Sequence, residues 1–120
     1  MSRNILFLFV LLLPLLTYAA PAGAINHYLL GKWRVESIKE QGESGYHPPR
    51  HSIKWEFTRR GELIEELGKS GSKIHWRYHV IGRDILVQLG GMRFSWRILS
   101  MKGKKMLIRH QLGLFKVERM

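Results

Sequence analysis

Three short runs of this sequence place large apolar residues at every second position, with charged or polar residues between them. They are residues 52–58 (SIKWEFT), 73–80 (KIHWRYHV) and 93–98 (RFSWRI). Successive side chains of an extended chain point to opposite sides, so each run has one apolar and one polar face. A slip of one residue would expose every apolar side chain of a run. The pattern therefore predicts half-buried β-strands with a firmly fixed register.

Glycine-containing turn sequences separate these runs from further apolar segments. Strand starts are predicted at residues 29, 52, 62, 73, 84, 93, 105 and 114. Six of the seven intervals between these starts fall in the range of about 8–12 residues that is typical of antiparallel sandwiches and barrels. Residues 62–67 (ELIEEL) and 105–111 (KMLIRHQ) alternate poorly, which predicts edge or bulged strands at these two places.

Connections this short favour pairing between consecutive strands. An eight-stranded meander leaves two apolar edges unless its first and last strands also pair, and closure removes both edges. We therefore predict an all-β fold, an antiparallel up-and-down eight-stranded barrel, in preference to an open sandwich. The interior of such a barrel is wide enough for side chains or for one small ligand.

The first 24 residues have the three regions of a signal peptide. Arg3 supplies a positive charge, residues 5–16 are apolar, and residues 22–24 (AGA) are small enough for signal peptidase. Twelve apolar residues fall short of the roughly 20 that a membrane-spanning helix needs. The sequence predicts cleavage near Ala24 and a secreted or periplasmic domain of residues 25–120. The alternative is that the segment is retained as an N-terminal membrane anchor.

The residues that could support catalysis are few. The chain has no Cys, which excludes disulfides, thiolate metal sites and a Cys nucleophile. Asp84 is the only Asp and lies in a turn sequence, where Asp commonly caps the backbone. No Gly-x-Ser-x-Gly motif is present to expose a nucleophilic Ser. We predict that the protein is not an enzyme, has no catalytic residues and needs no cofactor.

The chain has six His that are candidate metal ligands. His75 and His79 share a strand face but stand about 13 Å apart at about 3.3 Å per residue, too far to bind one ion. His47 and His51 flank residues 48–50 (PPR) in a loop, with neither a Cys nor a carboxylate expected close by. The sequence predicts solvated loop histidines and no metal site.

Residues 41–51 (QGESGYHPPRH) interrupt the regular strand spacing. Two Gly and two Pro exclude regular structure in this segment. Loops of this length in tightly turned proteins often act as lids or binding loops. A packed loop that seals one barrel end is an equally good interpretation.

Two features at the ends of the predicted barrel indicate a family. Residues 30–33 (LGKW) contain a G-x-W motif, formed by Gly31 and Trp33, and the last strand ends in Arg119. With its long first loop and evenly spaced hairpins, the chain from Leu30 to Arg119 resembles the small bacterial lipocalin-like domains of the calycin superfamily. The resemblance implies that Trp33 plugs the closed end of the barrel and that Arg119 packs across its indole ring.

The resemblance also implies a small hydrophobic or amphipathic ligand bound at the barrel mouth. Candidate contacts are Trp55, Trp76, Tyr78 and Trp96, with Tyr46 on the loop above. The same aromatic side chains could instead fill the lumen completely, because native cores leave few voids. The sequence leaves both alternatives open.

The outward face of the predicted strands is basic. The chain has 20 Lys and Arg against 9 Asp and Glu, a net charge of +11. Arg77, Arg93 and Arg97 alternate with the apolar residues and should face solvent. Such a surface could bind anionic envelope polymers or lipid head groups, or a protein partner, or it could only keep the domain soluble.

Nucleic acid is disfavoured as a partner, because the aromatic side chains that would stack on bases alternate away from the cations. Inhibition of a secreted protease is a further alternative, although no residue stands out as reactive.

Overall fold

The computed structural model describes residues 26–120. A single helical turn over residues 26–29 precedes eight strands. The strands are β1 (Gly31–Glu40), β2 (Ile53–Phe57), β3 (Glu62–Leu67), β4 (Ser72–Ile81), β5 (Asp84–Leu89), β6 (Met92–Lys102), β7 (Lys105–His110) and β8 (Gly113–Arg119). The predicted signal peptide of residues 1–24 lies outside the described residues.

All neighbouring strands pair antiparallel in chain order, and β1 also pairs with β8. The sheet is therefore a closed up-and-down barrel, which confirms the predicted fold class. Closure leaves none of these eight strands with an unpaired edge. Each observed strand begins within two residues of its predicted start.

The apolar faces of the three alternating runs point into the barrel. Trp55 and Trp96 are each 1% exposed, and Trp76 is also buried. Leu29, Trp33 and Phe57 extend this core toward the N-terminal helical turn. The core therefore forms where the alternation predicts it.

The prediction that the poorly alternating segments are edge or bulged strands is wrong. β3 pairs in full with both β2 and β4, and β7 pairs with both β6 and β8. Both segments do alternate, but a polar side chain takes one inward position in each. These inward residues are Glu65 in β3 and His110 in β7.

The register shifts lie in β1 and β6 instead. One falls between Val35 and Ser37 where β1 pairs with β8, and the other between Ile98 and Ser100 where β6 pairs with β7. An extra residue reverses the inward alternation locally. For this reason Ile38, and not Ser37, is the next buried residue of β1.

The barrel has two distinct ends. The helical turn and the β2–β3, β4–β5 and β6–β7 turns lie at what we term the closed end. The β1–β2 loop of residues 41–52 and the β3–β4, β5–β6 and β7–β8 turns lie at the open end. Among residues 26–120, no helix has both the length and the apolar character needed to cross a membrane.

Candidate functional site

Trp33 and Arg119 form the plug of the closed end. Trp33 is fully buried, and its Nε1 donates a 2.8 Å hydrogen bond to the carbonyl of Leu29. The Arg119 guanidinium carbon lies 4.3 Å from the centre of the Trp33 ring system, and Nη1 donates to the carbonyl of Leu30 at 2.7 Å. Nη2 donates to the carbonyl of Tyr28. This is the contact between Trp33 and Arg119 that the resemblance implies.

Gly31, the first residue of the G-x-W motif, leaves space for that guanidinium. It has φ of 115°, a conformation that favours glycine, and a Cβ at this position would lie 3.0 Å from Arg119 Nη1. The three residues of the predicted signature therefore meet in one structure at the closed end.

A stack of four rings fills the lumen between the two ends. Trp55 packs on Trp96 at 4.8 Å between ring centroids and on Phe115 at 5.9 Å. The His110 ring lies 4.1 Å from Phe115 and 4.6 Å from Trp96. We term these four side chains the aromatic stack. Because they occupy the barrel axis with their own surfaces, the stack closes the lumen below the mouth.

Polar side chains hold three of the Trp indoles in place. Glu65 accepts hydrogen bonds from Trp55 Nε1 at 2.9 Å and from Trp76 Nε1 at 3.3 Å. Gln111 accepts one from Trp96 Nε1 at 2.5 Å. A buried indole N–H without an acceptor is costly. Glu65 occupies an inward position of β3 because it supplies the acceptors for Trp55 and Trp76.

His110 is buried in the aromatic stack, and burial lowers its pKa to about 4. Its Nδ1 accepts a hydrogen bond from the backbone N–H of Leu112 at 3.1 Å, which requires the unprotonated nitrogen. The neutral ring is thus the form that fits this site.

The buried His110 predicts a dependence of stability on pH. The unfolded chain binds a proton on this residue below about pH 6.5, whereas the folded protein binds it only near pH 4. Stability should therefore be complete above about pH 6.5 and fall by about 3 kcal/mol as the pH drops to about 4. Urea unfolding followed by Trp emission at a series of pH values measures this loss.

His110→Asn should flatten the profile, since Asn cannot titrate but can accept the hydrogen bond from Leu112. His79→Asn, on the exposed face of β4, is the matched control and should keep the parental slope. An unchanged slope in His110→Asn would contradict the assignment.

The open end carries a cleft of about 800 Å³. Its floor is apolar and ends on Phe115, a member of the aromatic stack. Its rim carries charged and polar groups from the β1–β2 loop and the β3–β4 turn. The floor consists of Ile38, Ile53, Leu67, Leu112 and Phe115, and the rim includes Glu40, Glu43, His47, Arg50, His51 and Lys69.

The β1–β2 loop is fixed to the barrel wall at His47. The backbones of Ile38 and His47 exchange two hydrogen bonds of 2.8 and 2.9 Å. His47 Nε2 lies 2.9 Å from Glu43 Oε1, and Nδ1 lies 2.9 Å from the carbonyl of Pro48. Both contacts raise the pKa of His47, and the hydrogen bond with the Pro48 carbonyl has the larger effect.

The expectation that no carboxylate lies near His47 is wrong. Glu43 precedes His47 by four residues, and the side chains of Glu40, Glu43 and His47 lie close together. Glu43 Oε1 also accepts the backbone N–H of Glu40 at 2.8 Å, so this oxygen already has two partners.

None of the five predicted ligand contacts lines the cleft at the open end. Trp55 and Trp96 belong to the aromatic stack, and Trp76 packs against Phe94. Tyr78 packs edge-on against Phe57 and donates to the carbonyl of Thr58, in the half of the barrel nearer the closed end. Tyr46 lies on the outer wall, with Lys116 Nζ 3.9 Å from its ring centre.

The rim cations Arg50 and Lys69 were not among the predicted ligand contacts. Both follow turn signals, Pro48-Pro49 and Gly68, that place a cation at a loop tip. The predicted basic residues Arg77, Arg93 and Arg97 are exposed on the outer face of β4 and β6.

No family model matches the chain, and no curated protein matches it either. Among solved structures, the chain is similar to an uncharacterized protein from Bacteroides eggerthii, with a TM-score of 0.61 and 13% sequence identity. The match covers 77% of this chain and 99% of the other. At this identity the likeness establishes the shared fold alone.

Proposed function

We propose that this protein is a secreted lipocalin-like binding protein that holds a small amphipathic anion at its open end and catalyses no reaction. The cleft at that end is the observation that carries the proposal. Its volume of about 800 Å³ falls among the sites of about 300–1,000 Å³ that bind small molecules. An apolar floor beneath a charged rim suits a ligand that has an apolar part and a charged head group.

The floor favours a short or bent apolar chain. Ile53 and Leu67 face each other across the β2–β3 pair, and Leu112 extends the apolar surface on the opposite side. Phe115 ends the cleft because the aromatic stack lies directly behind it. A ligand would therefore lie across the mouth and would not enter along the barrel axis.

The rim favours an anionic head group. Arg50 and His51 of the β1–β2 loop and Lys69 of the β3–β4 turn all line the cleft. Glu43, one of the two rim carboxylates, is already engaged by His47. Among the ion pairs of residues 26–120, none involves Arg50 or Lys69, so their guanidinium and ammonium groups are available for a carboxylate or phosphate.

The resemblance to lipocalin-like domains and the predicted signal peptide support the same proposal. Proteins of that kind bind small apolar or amphipathic molecules outside the cytoplasm. The proposal differs from the sequence prediction in its contacts, which are the floor and rim residues in place of the interior aromatic residues.

Charge reversal of the rim tests the proposal. Arg50→Glu/Lys69→Glu should weaken binding of a fluorescent polyene fatty acid by about tenfold or more, because each lost hydrogen bond to a charged group is worth about that factor. Titration of the parent protein should also quench Trp emission, since Trp55 packs against the floor residue Phe115.

Arg59→Glu/Arg60→Glu changes the net charge by the same amount in the β2–β3 turn at the closed end and serves as the matched control. The methyl ester of the same fatty acid should bind the parent and the rim variant alike. Absence of saturable binding across acids of varied chain length, or equal weakening by both double variants, would count against the proposal.

A further inference from the structure

The β6–β7 hairpin, residues 92–110, has a charge distribution that the ligand cleft does not explain. It carries six cations and no acidic residue. All six are exposed: Arg93, Arg97, Lys102, Lys104, Lys105 and Arg109. We term this surface the basic hairpin.

Four of these cations stand in directly opposed pairs. Arg97 faces Arg109, and Lys102 faces Lys105 across the same strand pair. Like charges directly opposite each other on one sheet face are unfavourable. An anionic partner that covers both pairs would relieve this repulsion.

The acidic neighbours neutralise only part of this charge. Arg97 Nη1 lies 3.9 Å from Asp84 Oδ1, and Lys105 Nζ lies 3.9 Å from Glu36 Oε1. Both separations are at the outer limit of an ion pair, and all four side chains are solvated to a large extent. Exposed pairs of this kind are weak and leave the cations free to bind other anions.

A groove beside the basic hairpin offers donors for a phosphate group. Its volume is about 530 Å³, and it lies on the outer wall where the register shifts of β1 and β6 occur. Lys102, Lys105 and Lys116 line it together with Ser37, Ser100 and one acidic residue, Glu36, which is the distant ion-pair partner of Lys105. Such donors match the oxygens of a phosphate head group.

Two exposed apolar residues border the basic hairpin at the open end. Met92, at the start of β6, is 49% exposed. Leu112, just after β7, also lines the cleft at the open end and is 56% exposed. Cations next to exposed apolar side chains are typical of surfaces that rest on a membrane, where the apolar groups enter the interface.

We propose that the basic hairpin docks this protein on an anionic lipid surface, with a head-group phosphate in the groove between Ser37 and Ser100. A protein partner fits less well, because protein interfaces are depleted in Lys and rich in aromatic residues, whereas no aromatic side chain of the hairpin points outward. The same absence on this hairpin disfavours single-stranded nucleic acid. The proposal does not depend on a ligand in the cleft.

Vesicle sedimentation tests this docking. The chain beginning at Ile25 should be used, since the eight strands that close the barrel and the core residues between them lie within residues 26–120. It should bind mixed phosphatidylglycerol and phosphatidylcholine vesicles but not pure phosphatidylcholine vesicles. Binding should weaken as salt rises through about 0.1–0.2 M, where screening becomes strong.

The decisive comparison uses two variants with the same net charge. Arg97→Gln/Lys102→Gln/Lys105→Gln/Arg109→Gln should weaken vesicle binding at least about a hundredfold. The control neutralises four exposed cations elsewhere, Lys32, Arg59, Arg60 and Lys73, and should weaken it less than about fivefold. The control should keep the parental thermal midpoint, and the hairpin variant should match or exceed it because it removes two repulsive pairs. If the hairpin variant unfolds, Lys102→Gln/Lys105→Gln alone provides the comparison.

Four results would overturn the proposal. They are equal loss in both variants, no loss in either, equal binding to pure phosphatidylcholine vesicles, and tighter binding to a duplex oligonucleotide than to anionic vesicles at the same salt. Loss confined to the hairpin variant supports it. The comparison can also be made with the full chain, in which residues 1–24 are identical in every variant.

Discussion

Trp33→Ala should lower the free energy of unfolding by about 4 kcal/mol, because it removes a fully buried indole. The loss also leaves the Leu29 carbonyl without its donor and the Arg119 guanidinium without the ring beneath it. Urea unfolding at neutral pH measures the effect. Trp33→Phe keeps an aromatic ring and should recover about half of the loss.

A double-mutant cycle tests whether the closed end acts as a unit. Trp33→Ala and Arg119→Ala should couple by about 1–2 kcal/mol, as expected of a cation held against an indole. Arg119→Lys should stay well below the parent in stability, because an ammonium cannot bond to the Leu30 and Tyr28 carbonyls in the same planar arrangement. Strict additivity of the two Ala variants would contradict a plug held by this contact.

Gly113→Ala is the second substitution with a large expected effect, a loss of at least about 4 kcal/mol or failure to fold. Gly113 begins β8, has φ of 150° and pairs with Glu40 of β1. A Cβ at this position would lie 2.2 Å from the Lys39 carbonyl oxygen and 2.8 Å from the Glu40 Cα. Both atoms belong to the backbone, so the strand pair that closes the barrel would have to separate.

Gly103→Ala is the matched control for this prediction. Gly103 has φ of 60°, but nothing lies within 4 Å of a Cβ added there. Its cost should be about 1 kcal/mol, from the backbone conformation alone. Circular dichroism and the thermal midpoint compare the two variants, and similar losses would show that the close approach of β8 to β1 is not limiting.

The strand positions were predictable because the two signals that set them are local. Alternation fixed the inward faces around Trp55, Trp76 and Trp96, and glycines marked the turns. Closure followed from the number of strands, since an open meander leaves two edges. The contact between Trp33 and Arg119 came from the family resemblance and joins residues that no local pattern connects.

The wrong predictions for β3 and β7 arose at inward polar residues whose partners lie on neighbouring strands. Glu65 interrupts the apolar alternation of β3 in the sequence, yet its side chain points inward because two indole N–H groups donate hydrogen bonds to it. His110 does the same in β7, where it completes the aromatic stack. Hydropathy cannot anticipate such positions, because a polar residue becomes acceptable inside only when its partners are in place.

The position of the long loop was predictable from the sequence, whereas the residues that line the cleft beneath it were not. The β1–β2 loop does lie over the open end, but the sequence could not show which aromatic residues remain free to touch a ligand. That depends on how the rings pack together, and here Trp55 and Trp96 stack on each other. The rim cations Arg50 and Lys69 come from separate loops that only the closed barrel brings to one cleft.

The aromatic stack has a consequence for how the protein matures. A polypeptide that completes its interior with its own rings does not need cargo in order to fold. Folding would then be a separate event from binding of the ligand that we propose. Under that proposal, a ligand would enter and leave at the open end, without any opening of the barrel wall.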